Sequence, residues 1–429
     1  MGKTSKKLAV GLSVILLVSS ITAGMAFTQE KITLVFRQYD PEGLIGGLWG
    51  ALKEFERLHP NITVEHETLT WRDGFDVFTR EIIAGTGPDT LQVAYVWTRD
   101  LGRMGGLEPL SSYIKRDWSQ EKIDDFKHWE IGVYKDIIYG VPWTTDCMGM
   151  VIREDLFEDA GQVPPETYVE LLTTAMKLSR DKDGDGVIDQ WGMGLAGGFM
   201  WFHVAVSTWC HGLEIVEQDP KTGEWSAGID NLAGKNLMRY WNDFIRFGAS
   251  PEGIVSIMNW NDPQLLDGFK FGDYAMIWCW PWWYLALREE SPDLPMKAVR
   301  APGQVNRYTM TGGRELAVNK NSKHKEEAWE LLKFLTGEEV FTTLGYPHYP
   351  PQDSIIKNLK FPLSDRIFAE QTLTGRTYIH EIRSPASVNE LWAGTNRVYS
   401  GLLSGVKTLD ESHKAWVDAI NKAIQRGLE

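Results

Sequence analysis

Residues 272–283 read Gly-Asp-Tyr-Ala-Met-Ile-Trp-Cys-Trp-Pro-Trp-Trp, placing Trp278, Trp280, Trp282 and Trp283 within six positions around Pro281. Residues 271–279 are predicted to form a short buried strand, which Pro281 stops because proline cannot donate to a ladder. Period-two alternation puts Tyr274, Met276, Trp278 and Trp280 on one face, with Ala275, Ile277 and Cys279 on the other. Flat, wide rings at a strand end suit a ligand that offers C–H faces and hydroxyl edges, as a sugar does. The plainer reading of any single ring is core packing. A second candidate is Thr311-Gly-Gly-Arg-Glu315. Its two glycines permit close backbone approach to a ligand, and Arg314 and Glu315 could bond hydroxyls in forked geometry. A turn with a surface ion pair is the alternative.

The third candidate is Asp181-Lys-Asp-Gly-Asp-Gly-Val-Ile-Asp189. Asp181, Asp183, Asp185 and Asp189 occupy positions 1, 3, 5 and 9 of a Ca²⁺ loop, Gly186 stands at the sharp turn, and Val187 would give its carbonyl. The bidentate glutamate expected at position 12 is absent, since Gly192 stands there. A remote carboxylate or waters would complete the shell; the alternative is a solvated turn. Either way the role is structural. Gly192-Met-Gly-Leu-Ala-Gly197 has GxGxxG spacing but follows the acidic loop rather than a core strand, which argues against a dinucleotide. No GxSxG, HExxH or CxxC occurs, and nothing among the 58 acidic residues singles out a glycosidase pair.

The 429 residues exceed one ordinary core, so two domains are expected. A formal net charge of −14 argues against nucleic acid or an anionic membrane as a partner. Residues 1–26 have the form of a signal peptide. Lys3, Lys6 and Lys7 precede an apolar run over 8–21, and Gly24-Met-Ala26 is a small-x-small cleavage site. Its removal takes away three lysines and no acid, leaving −17. Cys147, Cys210 and Cys279 are too few for a disulfide framework and are read as buried free thiols, one disulfide being the lesser option.

The elements that would position these residues are predicted in chain order. Strands at 31–36, 62–66 and 91–97 alternate with helices at 46–58 and 75–84, which makes a parallel α/β unit. Ligands in such sheets sit beyond the carboxyl ends of the strands. Those ends are Gln38-Tyr-Asp40, Thr70-Trp71 and Tyr95-Val-Trp97, and each carries an aromatic ring. An extended segment at 140–152 begins with Trp143 and Asp146. Further helices are predicted at 166–178, 201–210, 231–247, 325–335 and 412–426, the last with Ser412 as N-cap, and further strands at 191–198, 296–299 and 308–318.

In this order the motifs resemble the maltose-binding-like extracellular solute-binding proteins of ABC-type sugar importers. Gly87-Pro-Asp89 precedes the third strand, and Gly106-Leu-Glu-Pro-Leu110 follows it. Then come Gly140-Val-Pro-Trp143, Arg153-Glu-Asp-Leu-Phe157, the Asp-Gly loop with Trp191-Gly192, Gly272-Asp-Tyr-Ala-Met276, Gly312-Gly313, and the helix beginning Lys325-Glu-Glu-Ala-Trp329. The resemblance covers the whole mature chain. It implies a two-lobed α/β fold of the periplasmic-binding-protein type, with the ligand between the lobes. One lobe would hold residues 27–145 and 312–345, the other 146–311 and 346–429, with crossings near Thr145, Thr311 and Gly345. It also implies a cleft lined by Tyr39, Asp40, Tyr95, Trp97, Trp143, Asp146, Trp280, Trp282, Gly312, Gly313 and Arg314. The expected function is non-catalytic carriage of a carbohydrate to a membrane permease by a soluble, exported monomer that needs no cofactor for activity. The abundance of rings, and the segment Tyr346-Pro-His-Tyr-Pro-Pro351, exceed the family pattern and point to a ligand larger or more apolar than a monosaccharide. The rivals are a secreted glycoside-active enzyme and a carrier of a peptide or an organic cation.

Overall fold

The computed structural model describes residues 30–40, 46–259, 262–344, 348–359, 363–372 and 374–429. The signal-peptide segment and the crossing expected at Gly345 lie outside the described residues. Among the described residues the strands are, in chain order, β1 (Ile32–Gln38), β2 (Ile62–Thr68), β3 (Thr90–Ala94), β4 (Val133–Tyr134), β5 (Ile137–Ile138), β6 (Val141–Cys147), β7 (Gly149–Arg153), β8 (Val216–Gln218), β9 (Trp225–Ala227), β10 (Met276–Cys279), β11 (Met296–Val299) and β12 (Thr311–Val318).

The first sheet has the order β2-β1-β3-β12-β6. β1 runs parallel to β2 and β3, while β12 runs antiparallel to β3 and β6. The parallel unit expected from the alternation of strands and helices is therefore present, and two antiparallel strands extend it. Alternation buries both faces. Leu34, Phe36, Leu316 and Val318 pack under helices Gly46–Leu58 and Lys325–Leu335. Leu91 and Val93 face Phe78 of helix Trp71–Ala84 on the other side. The second sheet is smaller, with β7 between antiparallel β10 and β11. Helices Glu154–Asp159, Pro263–Phe271 and Leu363–Thr372 pack on it, and helices Trp201–Cys210, Leu232–Arg246, Val388–Leu403 and Leu409–Leu428 pack on one another in the same lobe, where Trp201, Trp209, Trp241 and Trp416 are fully buried.

The chain passes between the sheets at adjacent points. Cys147 pairs with Thr311, and Met148 N donates to Met310 O at 3.0 Å, so two crossings lie side by side. The third comes later than expected. Thr145 N donates to Tyr349 O at 2.8 Å, Lys127 N to Pro351 O at 3.0 Å, and Ile355 packs in the first core. Residues 348–359 thus belong with the first lobe, and the second resumes by helix Leu363–Thr372, whose Phe368 meets Gly149 on β7. The proline-rich run is tied to the first lobe through its carbonyls rather than forming the crossing.

Three boundaries differ from expectation for local reasons. Helix Pro263–Phe271 ends on Gly272 in the left-handed region, so the strand expected from 271 starts only at Met276. The closing helix begins at Leu409, because Thr408 and Glu411 form a reciprocal capping box; Ser412 is buried inside it. Residues 191–198 make only isolated bridges, Trp191 with Tyr274 and Gly194 with Ile277. All three cysteines are free and buried, as the thiol reading expected.

Candidate functional site

The site grows from the carboxyl end of β1. Tyr39 and Asp40 follow the strand directly, and the backbone there is fixed by side chains. Tyr39 N donates to Gln92 Oε1 at 3.0 Å, Asp40 N donates to Gln38 Oε1, and Gln92 Nε2 donates to Asp40 Oδ2 at 2.7 Å. Arg314, near the start of β12, reaches this carboxylate with Nε at 2.9 Å and Nη2 at 2.5 Å, both on Oδ1. Its Nη1 donates to Asp146 Oδ2 at the end of β6. One guanidinium therefore clamps two carboxylates from different strands, and all three residues are buried, Arg314 at 6 % exposure. His348 completes the cluster, with Nε2 3.7 Å from Asp40 and Nδ1 3.5 Å from Asp146. Burial pushes the Asp40 carboxyl up, but the positive charge of Arg314 and the nearby His348 outweigh it and hold Asp40 below the usual carboxylate range.

Aromatic rings cover this polar cluster from both lobes. Trp282 lies 5.1 Å from the Arg314 guanidinium and Tyr39 lies 5.8 Å from it. Trp280 stacks on Trp282 with centroids 5.1 Å apart and planes 8° from parallel. This pair exists because Trp280 is the N-cap and Pro281 the first residue of helix Pro281–Glu290. Pro281 thus ends the strand as expected, and it also starts a helix that brings Trp282 back over Trp280. Beyond the ends of β1, β2 and β3, Tyr39, Trp71 and Trp97 form a second cluster with spacings of 4.5 to 5.2 Å.

The structure brings together Tyr39, Asp40, Asp146, Trp280, Trp282 and Arg314 from the predicted set. Trp143 does not join them. A β-bulge between Arg314 and Glu315 leaves Trp143 out of register, its ring is fully buried in the first core, and its Nε1 donates to Leu335 O at 2.9 Å. It sits three residues back from Asp146, about 10 Å deeper along the strand. Trp97 is 2 % exposed and acts as backing for Trp71 rather than as an open face. Tyr95 lies on the opposite face of the sheet, near His128 and against Gly313.

Gly312 and Gly313 lie in β12, paired with Asp146 and Thr145 of β6, and both are only partly buried. A Cβ on Gly312 would come 3.3 Å from the Trp280 ring, and one on Gly313 would overlap Tyr95 and Thr144 O, so both glycines make room for neighbours. Glu315 likewise points away from Arg314. Its carboxyl is buried, and burial, only partly offset by Thr98, pushes it up to about 8.

Three contributors were not in the predicted set. Gln92 had a sequence signal, an amide in the otherwise apolar run Leu91-Gln-Val-Ala94. His348 lies in the proline-rich segment that stood out. Trp71 was visible at a strand end, but its partners were not.

In the acidic loop, carboxylate oxygens of Asp181, Asp183 and Asp189 lie within 4.8 Å of one another. Asp185 is not in that group; its Oδ1 accepts from Val187 N at 2.7 Å. Asp181 accepts from Gly184 and Gly186 N–H, as the sharp turn requires, and those bonds lower its pKa, the Gly186 bond most. The missing glutamate has a packing reason. A Cβ on Gly192 would lie 1.9 Å from Ala175 O, so no side chain fits there. Oxygen donors at this spacing suit a hard divalent cation.

Among the described residues no helix is long and apolar enough to cross a membrane. The chain is similar to a putative binding protein of Brucella abortus, 29% identical over 338 residues and 76% of each chain. It is also similar to the multiple sugar-binding protein of Streptococcus mutans, 21% identical over 76% of each. Among solved structures it is similar to an ABC transporter solute-binding protein of Thermotoga lettingae bound with α-D-tagatose, with a TM-score of 0.74 at 21% identity, covering 91% of this chain and 99% of the other. Maltose-bound MalE3 of T. maritima gives 0.75 at 19% identity over 91% and 99%. These likenesses establish the two-lobed periplasmic-binding-protein fold. The family model that matches residues 44–340 is that of the bacterial extracellular solute-binding protein, and the chain belongs to this family.

Proposed function

We propose that this protein is an exported, monomeric, non-catalytic carrier that binds a carbohydrate of more than one unit between its lobes and presents it to the membrane permease of an ABC importer. The observation that carries the reading is the Asp40–Arg314–Asp146 clamp lying against Trp282 and Tyr39. Rings supply area for the C–H face of a pyranose, and the clamped carboxylates offer fixed acceptors at its hydroxyl edge. The family match and the sugar-bound neighbours support it. The test is calorimetry and tryptophan fluorescence against mono- and oligosaccharides, with product analysis. Saturable binding of intact sugar is expected. Cleavage at catalytic rates would make the protein an enzyme, and binding of organic cations or peptides alone would move the ligand class.

Export is expected to yield a mature chain beginning at or near residue 27, read by mass spectrometry of secreted protein. The acidic loop is proposed to hold a structural Ca²⁺ through Asp181, Asp183 and Asp189 with the Val187 carbonyl. Lacking the bidentate glutamate, it should bind in the range of about 10⁻⁴–10⁻³ M, as weaker extracellular loops do. Millimolar Ca²⁺ should raise Tm relative to a chelator, and Asp181→Ala should abolish the difference.

A further inference from the structure

One ring at the strand ends of the first lobe is not buried. Tyr39 is 7 % and Trp97 2 % exposed, while Trp71 is 41 % exposed. Trp71 is held in place rather than loose. It stacks on Trp97 at 4.5 Å with planes 23° apart and meets Tyr39 edge-on at 5.2 Å. Trp97 in turn beds on the first turn of helix Trp71–Ala84, where a Cβ on Gly74 would come 2.9 Å from its ring. Thr70 caps that helix, accepting from Asp73 N at 3.2 Å and donating to Asp73 Oδ2 at 2.6 Å. The backbone of Trp71 is therefore fixed, one part of its indole is covered, and the rest faces solvent at the carboxyl end of β2.

Trp71 also ends a line. Trp282 lies 5.1 Å from Arg314, Arg314 lies 5.8 Å from Tyr39, and Tyr39 lies 5.2 Å from Trp71. β2 is the edge strand farthest from the crossing strands β6 and β12. The line therefore runs outward from the buried clamp, and Trp71 is its open end. A sugar unit held at Arg314 would lie two ring spacings from Trp71, so a second unit of the same ligand would be needed to reach that ring.

We propose that Trp71 is an outer stacking platform for a second sugar unit, and that it sets a preference for oligosaccharides over single sugars. The proposal rests on the carbohydrate reading above. The buried end of the line limits the ligand on one side, while the open end lets longer chains project past Trp71. Affinity should therefore rise with chain length until a unit reaches this ring, and then level off.

The test is calorimetric titration of wild type, Trp71→Ala and Trp71→Tyr with α-1,4-linked glucose and β-1,4-linked mannose series of one to five units. For the series that binds, Trp71→Ala is expected to lose about tenfold in affinity for the tri- and tetrasaccharide, the worth of one aromatic stacking contact. It should lose less than about twofold for the shortest sugar bound, and Trp71→Tyr should recover most of the loss. Equal loss at every length would make Trp71 a support for Tyr39 and overturn the proposal, as would no loss at any length. A wild type that binds no sugar of either series would instead overturn the carbohydrate reading and this inference with it. The partly exposed position of Trp71 makes folding of the alanine variant directly checkable by its Tm.

Discussion

Arg314 holds the site together because its one guanidinium bridges two buried carboxylates, offsetting part of their repulsion beside His348. Removing it leaves Asp40 and Asp146, both at 2 % exposure or less, without their cation. Arg314→Ala is expected to lower stability by roughly 3–5 kcal/mol in denaturant titrations and to abolish ligand binding. Arg314→Lys keeps the charge but not the fork, so it should fold better than it binds. The lowered pKa of Asp40 also fixes a sign. Its ionised form is favoured by folding, so its contribution is fully present above the ordinary carboxylate value and is lost as pH falls through the folded value. The stability gap between wild type and Asp40→Asn should therefore shrink on acidification below about pH 4.

Glu315 has the opposite sign. The native carboxyl holds its proton up to about 8, while the unfolded one ionises near its ordinary 4.5, so stability falls as pH rises through that window. Glu315→Gln keeps the shape without the charge. It is expected to gain about 1–3 kcal/mol over wild type at pH 9 and clearly less at pH 5, measured by chemical denaturation at the two pH values.

At the scale of elements, caps and glycines decide where helices start and what can lie beside them. Thr408 serves the last helix twice, accepting from Glu411 N and donating to its carboxylate, while that carboxylate also accepts from Thr408 N. That helix packs against Val388–Leu403 and buries Trp416, so its first turn matters to the second lobe. Thr408→Ala should cost about 1 kcal/mol in denaturation, with no change in sugar affinity. The junction Trp280-Pro281 shows the same economy near the ligand. Proline at the first helical position ends β10 and starts the helix in a single step, and the turn lays Trp282 parallel to Trp280.

For the whole molecule, the lobes touch away from the clamp. On the first lobe, Arg99 Nη1 donates to Ser384 O at 3.2 Å and Nη2 to Arg383 O at 3.4 Å, while Asp100 Oδ2 accepts from Ser387 Oγ at 3.1 Å. Residues 379–383 form a short helix of the second lobe, so Arg99 meets its carboxyl-terminal carbonyls, which favour a cation. If the lobes separate at this point these bonds must break, so they would favour the arrangement in which the lobes meet. Arg99→Ala is expected to weaken sugar binding about three- to tenfold, with little change in the Tm of the ligand-free protein. Small-angle scattering should show a larger radius of gyration for the variant at subsaturating ligand.

Much was settled by local chemistry. Alternation of strand and helix gave the parallel core of the first lobe, and helices Trp201–Cys210 and Lys325–Leu335 begin and end where their apolar spacing placed them. Asp40, Asp146 and Arg314 were singled out by the family resemblance, and the fold brings the three together. What residue order could not decide was which side of a strand each ring would occupy and how deep. One bulge in β6 sends Trp143 into the core, and stacking demotes Trp97 to a bed for Trp71. The third crossing was misplaced because carbonyls of the proline-rich segment bond to Thr145 and Lys127, which are distant in sequence. His348 and Gln92 were missed for the same reason, since their roles exist only where several strands converge. Composition and periodicity fix what a short segment prefers to form, but the partners of a buried polar group and the exposure of a ring depend on contacts between segments far apart in the chain.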